Sequence, residues 1–226
     1  MLDKALKTKA YGILIPMQYT TLFIDLDDTV YPAQCGLWDV IKNRISLYMH
    51  DRLNLDWEVI PSLRSYYFKN FGTTMRGLMS DYSIDRNDYL QFVHDVPLTD
   101  FISRDDDLRR ILECIPQRKV IFTNADTLHA ERVMNILGIT ACFDQIIDIN
   151  ALFPDCKPLP AAYQKALELS GETDAHRCAF LDDSVTNLAG AKQAGFYTIR
   201  VGSVDPSDQY DAGILNLHEI TKVIPC

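Results

Sequence analysis

Short apolar runs rich in β-branched residues recur along most of the chain, and we predict that each run forms a strand. These runs are Tyr19–Ile24, Lys119–Thr123, Gln145–Ile149, Cys178–Leu181 and Tyr197–Val201. Each of the last four runs follows a stretch in which apolar residues recur every three or four positions. This alternation of helices and strands predicts an α/β fold, with a doubly wound parallel sheet covered by helices on both faces.

The predicted helices also carry signals for where they start and stop. Ser103 and Asp106 have the spacing of a capping box, which predicts a helix start at this point. Gly138, Gly171 and Gly195 each follow an apolar stripe, and glycine is a common residue just past a helix end. These signals place the helices between the predicted strands.

Residues 33–104 break this alternation, because they contain no convincing strand. Apolar residues follow helical spacing through most of this segment, and Asp85 is placed to cap a further helix. We therefore predict a core of residues 1–32 and 105–226, with residues 33–104 inserted as an all-helical domain. Ligands of open α/β sheets lie beyond the carboxyl ends of the strands, so an insertion after strand 1 would hang over the site.

The composition narrows the partners that this chain is expected to have. Its 226 residues are 47% apolar and carry a net charge of −9, so we expect a packed core and a surface that repels nucleic acid polymers. A small anionic substrate is compatible with that charge, because a few local donors outweigh the global field at short range. No run of about 20 apolar residues predicts a membrane span, and the sequence gives no oligomeric state.

The cysteines and the N-terminal segment bear on the compartment. The six cysteines are scattered without a C-x-x-C pair, which predicts free thiols in a reducing compartment, and we expect a cytoplasmic protein. Residues 1–17 hold an apolar stretch too short for a signal-peptide core. Three lysines in this segment leave a targeting role open, but we expect a flexible lead-in.

Carboxylates cluster where two of the predicted strands end. The first strand ends in Asp25, Asp27 and Asp28, and another apolar strand ends in Asp182 and Asp183. A single acidic pair is equally well explained by a strand-end turn or a helix cap, but two such endings in one parallel sheet are harder to explain in that way. Crowded carboxylates are costly to desolvate. A divalent cation such as Mg²⁺, which prefers oxygen ligands, would relieve that cost.

Polar groups that can hold a phosphate follow other strands. Thr123 and Asn124 end one strand, and Lys157 stands just before a helical stretch. Taken alone, Thr123 or Asn124 is more simply a helix cap, and a lone lysine is usually a solvated charge. Their positions at strand ends nevertheless place them near the edge of the sheet that holds the acidic residues.

These segments, in this order, resemble the haloacid dehalogenase-like hydrolase superfamily. Asp25 to Thr29 matches its first motif, D-x-D-x-T, and Thr123, Lys157 and Asp182-Asp183 match the second, third and fourth. The resemblance extends from about Tyr19 to Val201 and implies a Rossmann-like core. The family usually has glycine where this chain has Asp28.

A narrower resemblance extends through the insertion, to the pyrimidine 5′-nucleotidase branch of this superfamily. It is carried by Asp25–Pro32, Asn70–Leu78, His94–Pro97 and Arg118–Asp126. It implies that the insertion is a helical cap that selects the substrate. Arg76, His94 and Tyr31 are candidate contacts with that substrate, in addition to Asn124. For each of the three, a purely structural role is an equally good interpretation.

The resemblance implies a Mg²⁺-dependent phosphatase acting on a small phosphorylated metabolite, specifically a nucleoside 5′-monophosphate. Asp25 would attack phosphorus to form an aspartyl-phosphate, and Asp27 would act as general acid and then as general base. Thr123 and Lys157 would bind phosphate oxygens. The Mg²⁺ ligands would be the Asp25 carboxylate, the Asp27 carbonyl, and the carboxylates of Asp182 and Asp183.

Three alternatives share this scaffold. A 2-haloacid dehalogenase needs neither a metal nor an acid equivalent to Asp27, so Asp27 and the Asp182-Asp183 pair argue against it. A sugar-phosphate phosphatase or phosphomutase shares every core residue, and only the cap distinguishes it. A non-catalytic binding protein would be expected to lack a core residue, and none is missing.

Overall fold

A computed structural model of the protein describes residues 19–226, so the expectations for residues 1–17 lie outside the described residues. Its centre is a six-stranded parallel sheet with the strand order β3-β2-β1-β4-β5-β6. The strands are β1 (Thr21–Ile24), β2 (Arg118–Phe122), β3 (Gln145–Ile147), β4 (Cys178–Asp182), β5 (Tyr197–Val201) and β6 (Ala212–Ile214). The five predicted strands are confirmed: one has the predicted ends, and the ends of the others differ by at most two residues. The sixth strand was not predicted.

Side chains of the central strands alternate between two apolar layers. In β1, Leu22 and Ile24 enter one buried cluster and Phe23 enters the other. Helices cover both layers: α5 (Asp106–Cys114) and α6 (Thr127–Leu137) contribute to the first, and α8 (Pro160–Ser170) and α9 (Val185–Gln193) to the second. All four residues of β1 are buried, which confirms a sheet covered on both faces.

Most of the predicted helix ends are confirmed. Gly138 and Gly171 both have φ of 76° and cap α6 and α8 in the left-handed region. The start of α5 differs from the prediction, because Asp105 accepts a hydrogen bond from the Leu108 amide and is the N-cap. Asp106 lies inside the helix, so the capping box with Ser103 is not formed. No helix within residues 19–226 is long and apolar enough to span a membrane.

The segment between β1 and α5 is helical, as predicted. It contains α1 (Leu37–Leu53), α2 (Ile60–Phe71), α3 (Thr74–Asp81) and α4 (Arg86–His94), and none of residues 33–104 belongs to a strand. Asp85 caps α4 through the Asp88 amide. A third apolar cluster binds these helices together and includes Ile149, from the short helix α7 (Ile149–Leu152), and Cys156. We call residues 33–104 the helical insertion; its own core therefore continues into the edge of the sheet.

The cysteine prediction is wrong for two of the six residues. Cys114 at the end of α5 and Cys226 at the C-terminus form a disulfide across a sequence separation of 112 residues. Cys35, Cys142, Cys156 and Cys178 are free, as predicted. The pairing depends on where the chain end packs against α5, and cysteine spacing contains no information about that long-range contact.

Candidate active site

Lys157 is the centre of a buried polar network at the carboxyl ends of the strands. Its side chain is only 1% exposed, and its Nζ donates to Asp25 Oδ1 at 2.6 Å, Asp182 Oδ2 at 2.9 Å and the Phe122 carbonyl at 2.7 Å. Burial alone would lower the pKa of Lys157, but the two carboxylates outweigh burial and raise it. Lys157 is therefore a fixed positive charge beside Asp25.

Asp25 follows β1 directly and lies among charged groups of both signs. Burial is the main cause that raises the pKa of its carboxyl well above the usual value, with Asp182 and Asp183 acting in the same direction and Lys157 opposing them. The Thr29 hydroxyl donates to Asp25 Oδ2 at 3.3 Å and accepts from the Asp183 amide at 3.1 Å. Thr29 thus connects the loop after β1 to the loop after β4.

Asp25, Asp182 and Asp183 each place a carboxylate oxygen within 4.8 Å of the others. The oxygens of Asp182 already accept from Lys157, Asn187 and the Ser184 amide. Asp183 has no side-chain hydrogen bond to any described residue, and burial, followed by repulsion from Asp182, raises its pKa to about 7. Three carboxylates beside one ammonium group fit a hard divalent cation, which prefers oxygen ligands and would offset their repulsion. Asp183 is the carboxylate most available to it.

Asp27 lies in a second network. Its Oδ1 accepts from the Tyr31 hydroxyl at 2.5 Å and lies 2.9 Å from Nε2 of His129. Burial would raise the pKa of Asp27, but the charge and hydrogen bond of His129, with the Tyr31 hydroxyl, outweigh it and lower the pKa. Sequence reasoning predicted Asp27 and Tyr31 but missed His129. The available signal was its place in the first turn of the helix that follows the Thr123-Asn124 strand end.

His94 supports this network from the helical insertion. Its ring stacks on His129 with centroids 4.2 Å apart, and its Nδ1 lies 3.2 Å from Asp126 Oδ1. Burial, with the nearby His129, lowers the pKa of His94. His94 also lines the cavity described below. The structure thus brings His94 next to the Asp27 network, as part of the wall of the site.

The predicted phosphate-binding and substrate residues fall into two groups. Thr123 and Asn124 line the site, but the Asn124 side chain is occupied: its Nδ2 donates to the Lys157 carbonyl and its Oδ1 accepts from the Lys157 amide, both at 3.0 Å. Asn124 therefore holds the Lys157 backbone in place. Arg76 is not brought to the cavity; its Nη1 donates to the Phe71 carbonyl at 2.6 Å. We assign it a role inside the insertion instead, because that carbonyl ends α2.

A cavity of about 730 Å³ lies between the sheet edge and the helical insertion. Its floor carries Asp25, Asp27, Thr123, Lys157 and Asp183. Its opposite wall is mostly apolar and comes from the insertion; this wall includes Trp38, Ile41, Ile45, Phe68, Met75, Leu90 and Val93. The cavity thus joins a charged floor to a wall suited to an organic group.

Asp28 is an unusual residue at its position in this loop, because its φ of 58° lies in the left-handed region. We expect Asp28→Gly to raise the free energy of unfolding by about 0.5–1 kcal/mol, since glycine relieves this backbone strain. Burial is also the main cause that raises the pKa of Asp28 to about 6. The charged carboxylate therefore penalises the folded state above that pH, and the gain should be larger at pH 8 than at pH 4.

Thermal or urea unfolding at the two pH values, in EDTA to exclude metal effects, measures this gain. A variant less stable than the wild type at pH 8 would contradict the expectation.

Comparisons with known proteins agree with this geometry. Residues 19–195 match the model of the haloacid dehalogenase-like hydrolase family. Phosphate metabolism protein 8 of Saccharomyces cerevisiae is 29% identical over 189 residues, which cover 76% of this chain and 58% of that protein. The chain thus spans a little over half the length of this curated relative.

Solved structures share the fold at lower identity. The HAD-hydrolase YfnB from Bacillus subtilis, a structure bound to magnesium, superposes with a TM-score of 0.58 at 17% identity and covers 92% of this chain and 100% of that one. The L-2-haloacid dehalogenase from Xanthobacter autotrophicus superposes with a TM-score of 0.54 at 15% identity, and the match covers 91% of this chain and 98% of that one. The family match over most of the chain, with the Asp25–Lys157–Asp182 network at the strand ends, shows that the protein is a hydrolase of the haloacid dehalogenase-like family.

Proposed function

We propose that the protein is a Mg²⁺-dependent phosphatase that hydrolyses a small phosphomonoester, specifically a pyrimidine nucleoside 5′-monophosphate, through an aspartyl-phosphate on Asp25. The observation that supports this most directly is the contact of Lys157 Nζ with Asp25 Oδ1 at 2.6 Å, on a cavity floor shared with Asp27 and Asp183. A carboxylate nucleophile needs a cation beside it when it approaches a phosphate dianion, because the two repel each other.

Asp25 supplies the attacking oxygen in this mechanism. Lys157 holds Asp25 Oδ1, and Thr29 holds Oδ2, so the carboxylate has a fixed orientation before the substrate arrives. Such positioning removes orientational freedom that would otherwise add to the barrier. Lys157 is also placed to balance charge on the transferred phosphoryl group. The Thr123 hydroxyl, at the end of β2, lines the same floor and is a further donor to a phosphate oxygen.

Asp27 is the general acid for the leaving oxygen. The Tyr31 hydroxyl and His129 both stabilise its carboxylate form, which makes protonated Asp27 a stronger acid towards an alkoxide leaving group. When water replaces the departed alcohol, the same carboxylate accepts its proton as the water attacks phosphorus; the P–O bond of the aspartyl-phosphate breaks, which releases phosphate and restores the Asp25 carboxylate. Tyr31 and His129 therefore orient and tune Asp27 rather than contact the phosphate.

The residues present also fit Mg²⁺. Asp183 carries carboxylate oxygens without a side-chain partner among the described residues, and Asp25 and Asp182 lie in the same group of three. When bound there, Mg²⁺ would offset the repulsion between the phosphate and the Asp25 carboxylate. Because Asp182 is already held by Lys157 and Asn187, we assign it chiefly to the positioning of Lys157.

Two observations support a nucleotide as the substrate. The resemblance to pyrimidine 5′-nucleotidases includes segments of the helical insertion, which we propose acts as the cap. The insertion also gives the cavity its apolar wall, which suits a flat ring more than a sugar alone. The yeast relative is named a phosphate metabolism protein, which is compatible with this chemistry.

Phosphate release from a panel of metabolites tests the proposal. With Mg²⁺ present, we expect UMP and CMP to be hydrolysed faster than ribose 5-phosphate or glucose 6-phosphate. Hydrolysis of phosphosugars alone would replace the nucleotide assignment with a sugar-phosphate phosphatase. Transfer of phosphate within a sugar would indicate a mutase, and halide release from 2-chloropropionate without phosphate release would indicate a dehalogenase.

A further inference from the structure

One helix of the insertion places a guanidinium group in the mostly apolar wall of the cavity. Pro61, Arg64, Ser65 and Phe68 of α2 all line the cavity, and their spacing of three and four residues puts them on one helix face. Arg64 contributes the only cationic side chain of this face. None of these residues was singled out by sequence motifs, and the mechanism at the cavity floor does not use them.

Most of the hydrogen-bonding capacity of Arg64 is unused. Its Nη1 donates to Ser46 Oγ at 2.7 Å, while Nε is buried without a hydrogen-bond partner among the described residues. No carboxylate of residues 19–226 forms a salt bridge with Arg64. Burial lowers the pKa of the guanidinium. Arg64 is half-buried, but a buried Nε donor without a partner is costly, which favours an acceptor supplied by a ligand.

Tyr89 of α4 places a second unused donor in the same wall. Its side chain lines the cavity, is 3% exposed, and has no hydrogen bond from its hydroxyl to any described residue. Burial raises the pKa of Tyr89, and the charge of Arg64, which lines the same cavity, opposes this. The neighbouring Tyr48 ring packs edge-on at 5.0 Å, but its hydroxyl bonds Asp88. The Tyr89 hydroxyl is not among the fully buried polar atoms, so it is accessible from the cavity and free to donate to a ligand acceptor.

We propose that Arg64 and Tyr89 form the leaving-group subsite of the cavity and donate hydrogen bonds to carbonyl oxygens of the substrate's base. This inference rests on the proposed phosphatase function and deepens it, because it assigns the residues that select the leaving group. Both groups are donors at neutral pH, so they match a ring that presents acceptors. The surrounding apolar side chains, including Phe68 and Leu90, match the faces of such a ring.

Arg64→Met and Tyr89→Phe test the subsite, because each keeps most of the side-chain volume; the first removes the donors together with the positive charge, and the second removes only the hydroxyl. We expect Arg64→Met to lower kcat/KM for UMP by about 10–100-fold, the loss typical of a hydrogen bond to a charged group, and Tyr89→Phe by about 5-fold. Ribose 5-phosphate shares the phosphate and sugar but has no base. Its kcat/KM should change less than about 2-fold in both variants.

Arg52→Met and Tyr48→Phe are matched controls. Both lie in the helical insertion outside the cavity lining, and each repeats the same chemical change. Neither control should change the ratio of kcat/KM for UMP to kcat/KM for ribose 5-phosphate. Equal losses on UMP and ribose 5-phosphate in Arg64→Met, or no loss on either, would overturn the subsite. A loss confined to fructose 1,6-bisphosphate would assign Arg64 to a second phosphate and overturn the base assignment.

A binding measurement separates this inference from the proposed function. Calorimetry can measure the binding of UMP to the Asp25→Asn variant, which is not expected to turn the substrate over. Arg64→Met in that background should weaken UMP binding by about 10-fold or more, while Arg52→Met should not. If the wild type releases phosphate from no metabolite, the phosphatase proposal fails. The subsite is overturned separately if UMP binding is absent or does not respond to Arg64→Met.

Discussion

Asp25→Asn is expected to lower kcat by about 10³-fold or more, with the fold unchanged. The substitution keeps the shape of the side chain but removes the negative oxygen that attacks phosphorus. Groups that act as a unit in covalent catalysis show losses of this size. Because Asp182 still accepts from Lys157 Nζ at 2.9 Å, the buried lysine keeps one carboxylate partner in this variant.

Asp28→Asn is the matched control, since it makes the same change in the same loop at a residue that does not line the cavity. We expect it to keep at least about half of the wild-type kcat. Mass spectrometry of acid-quenched wild type should place a phosphoryl group on the peptide that contains Asp25. Residual turnover above a tenth of wild type in Asp25→Asn, or a phosphoryl group elsewhere, would contradict the covalent mechanism.

The catalytic floor could be predicted because it depends on local sequence. Apolar strands followed by Asp25 and Asp182 place these residues at one edge of any parallel sheet, whatever the detailed packing. Short strands with few β-branched residues were harder to predict from the sequence. The strand β6, Ala212–Ile214, has three residues and only one β-branched side chain, so its pairing with β5 depends on the existing sheet edge.

The wall of the cavity was harder to predict than its floor, because helix rotation decides which residues face a ligand. Arg76 lies between two glycines in the sequence and was expected to reach the substrate. It is instead in the first turn of α3, and its Nη1 donates a hydrogen bond to the Phe71 carbonyl at the end of α2. Arg64 had no motif around it, and only the packing of α2 places it in the cavity. His129 was missed for the same reason, since its contact with Asp27 spans 102 residues of sequence.

Removal of divalent metal is expected to abolish phosphatase activity, with a loss of at least about 100-fold in EDTA and recovery in Mg²⁺. Asp25, Asp182 and Asp183 crowd three carboxylates around the single Lys157 ammonium, which leaves an excess of negative charge where a phosphate must bind. Ca²⁺ should restore activity poorly, because its longer bonds and higher coordination number disturb the attack geometry. Full activity in chelated, metal-free protein would contradict this prediction.

Stability gives a second measure of the same site that does not depend on turnover. Burial and Asp182 raise the pKa of Asp183 to about 7, so its charged form penalises the metal-free fold above that pH. Mg²⁺ should therefore stabilise the wild type and raise its melting temperature. At a Mg²⁺ concentration of 100 times its Kd, the free energy of unfolding should increase by about 2.7 kcal/mol.

Asp183→Asn should remove most of this Mg²⁺ effect. In EDTA at pH 8, the melting temperature of this variant should be no lower than that of the wild type. Asp28→Asn, which leaves the three carboxylates intact, should keep the Mg²⁺ effect. A wild-type melting temperature that does not respond to Mg²⁺ at millimolar concentration, measured at pH 8, would show that these carboxylates do not hold the metal.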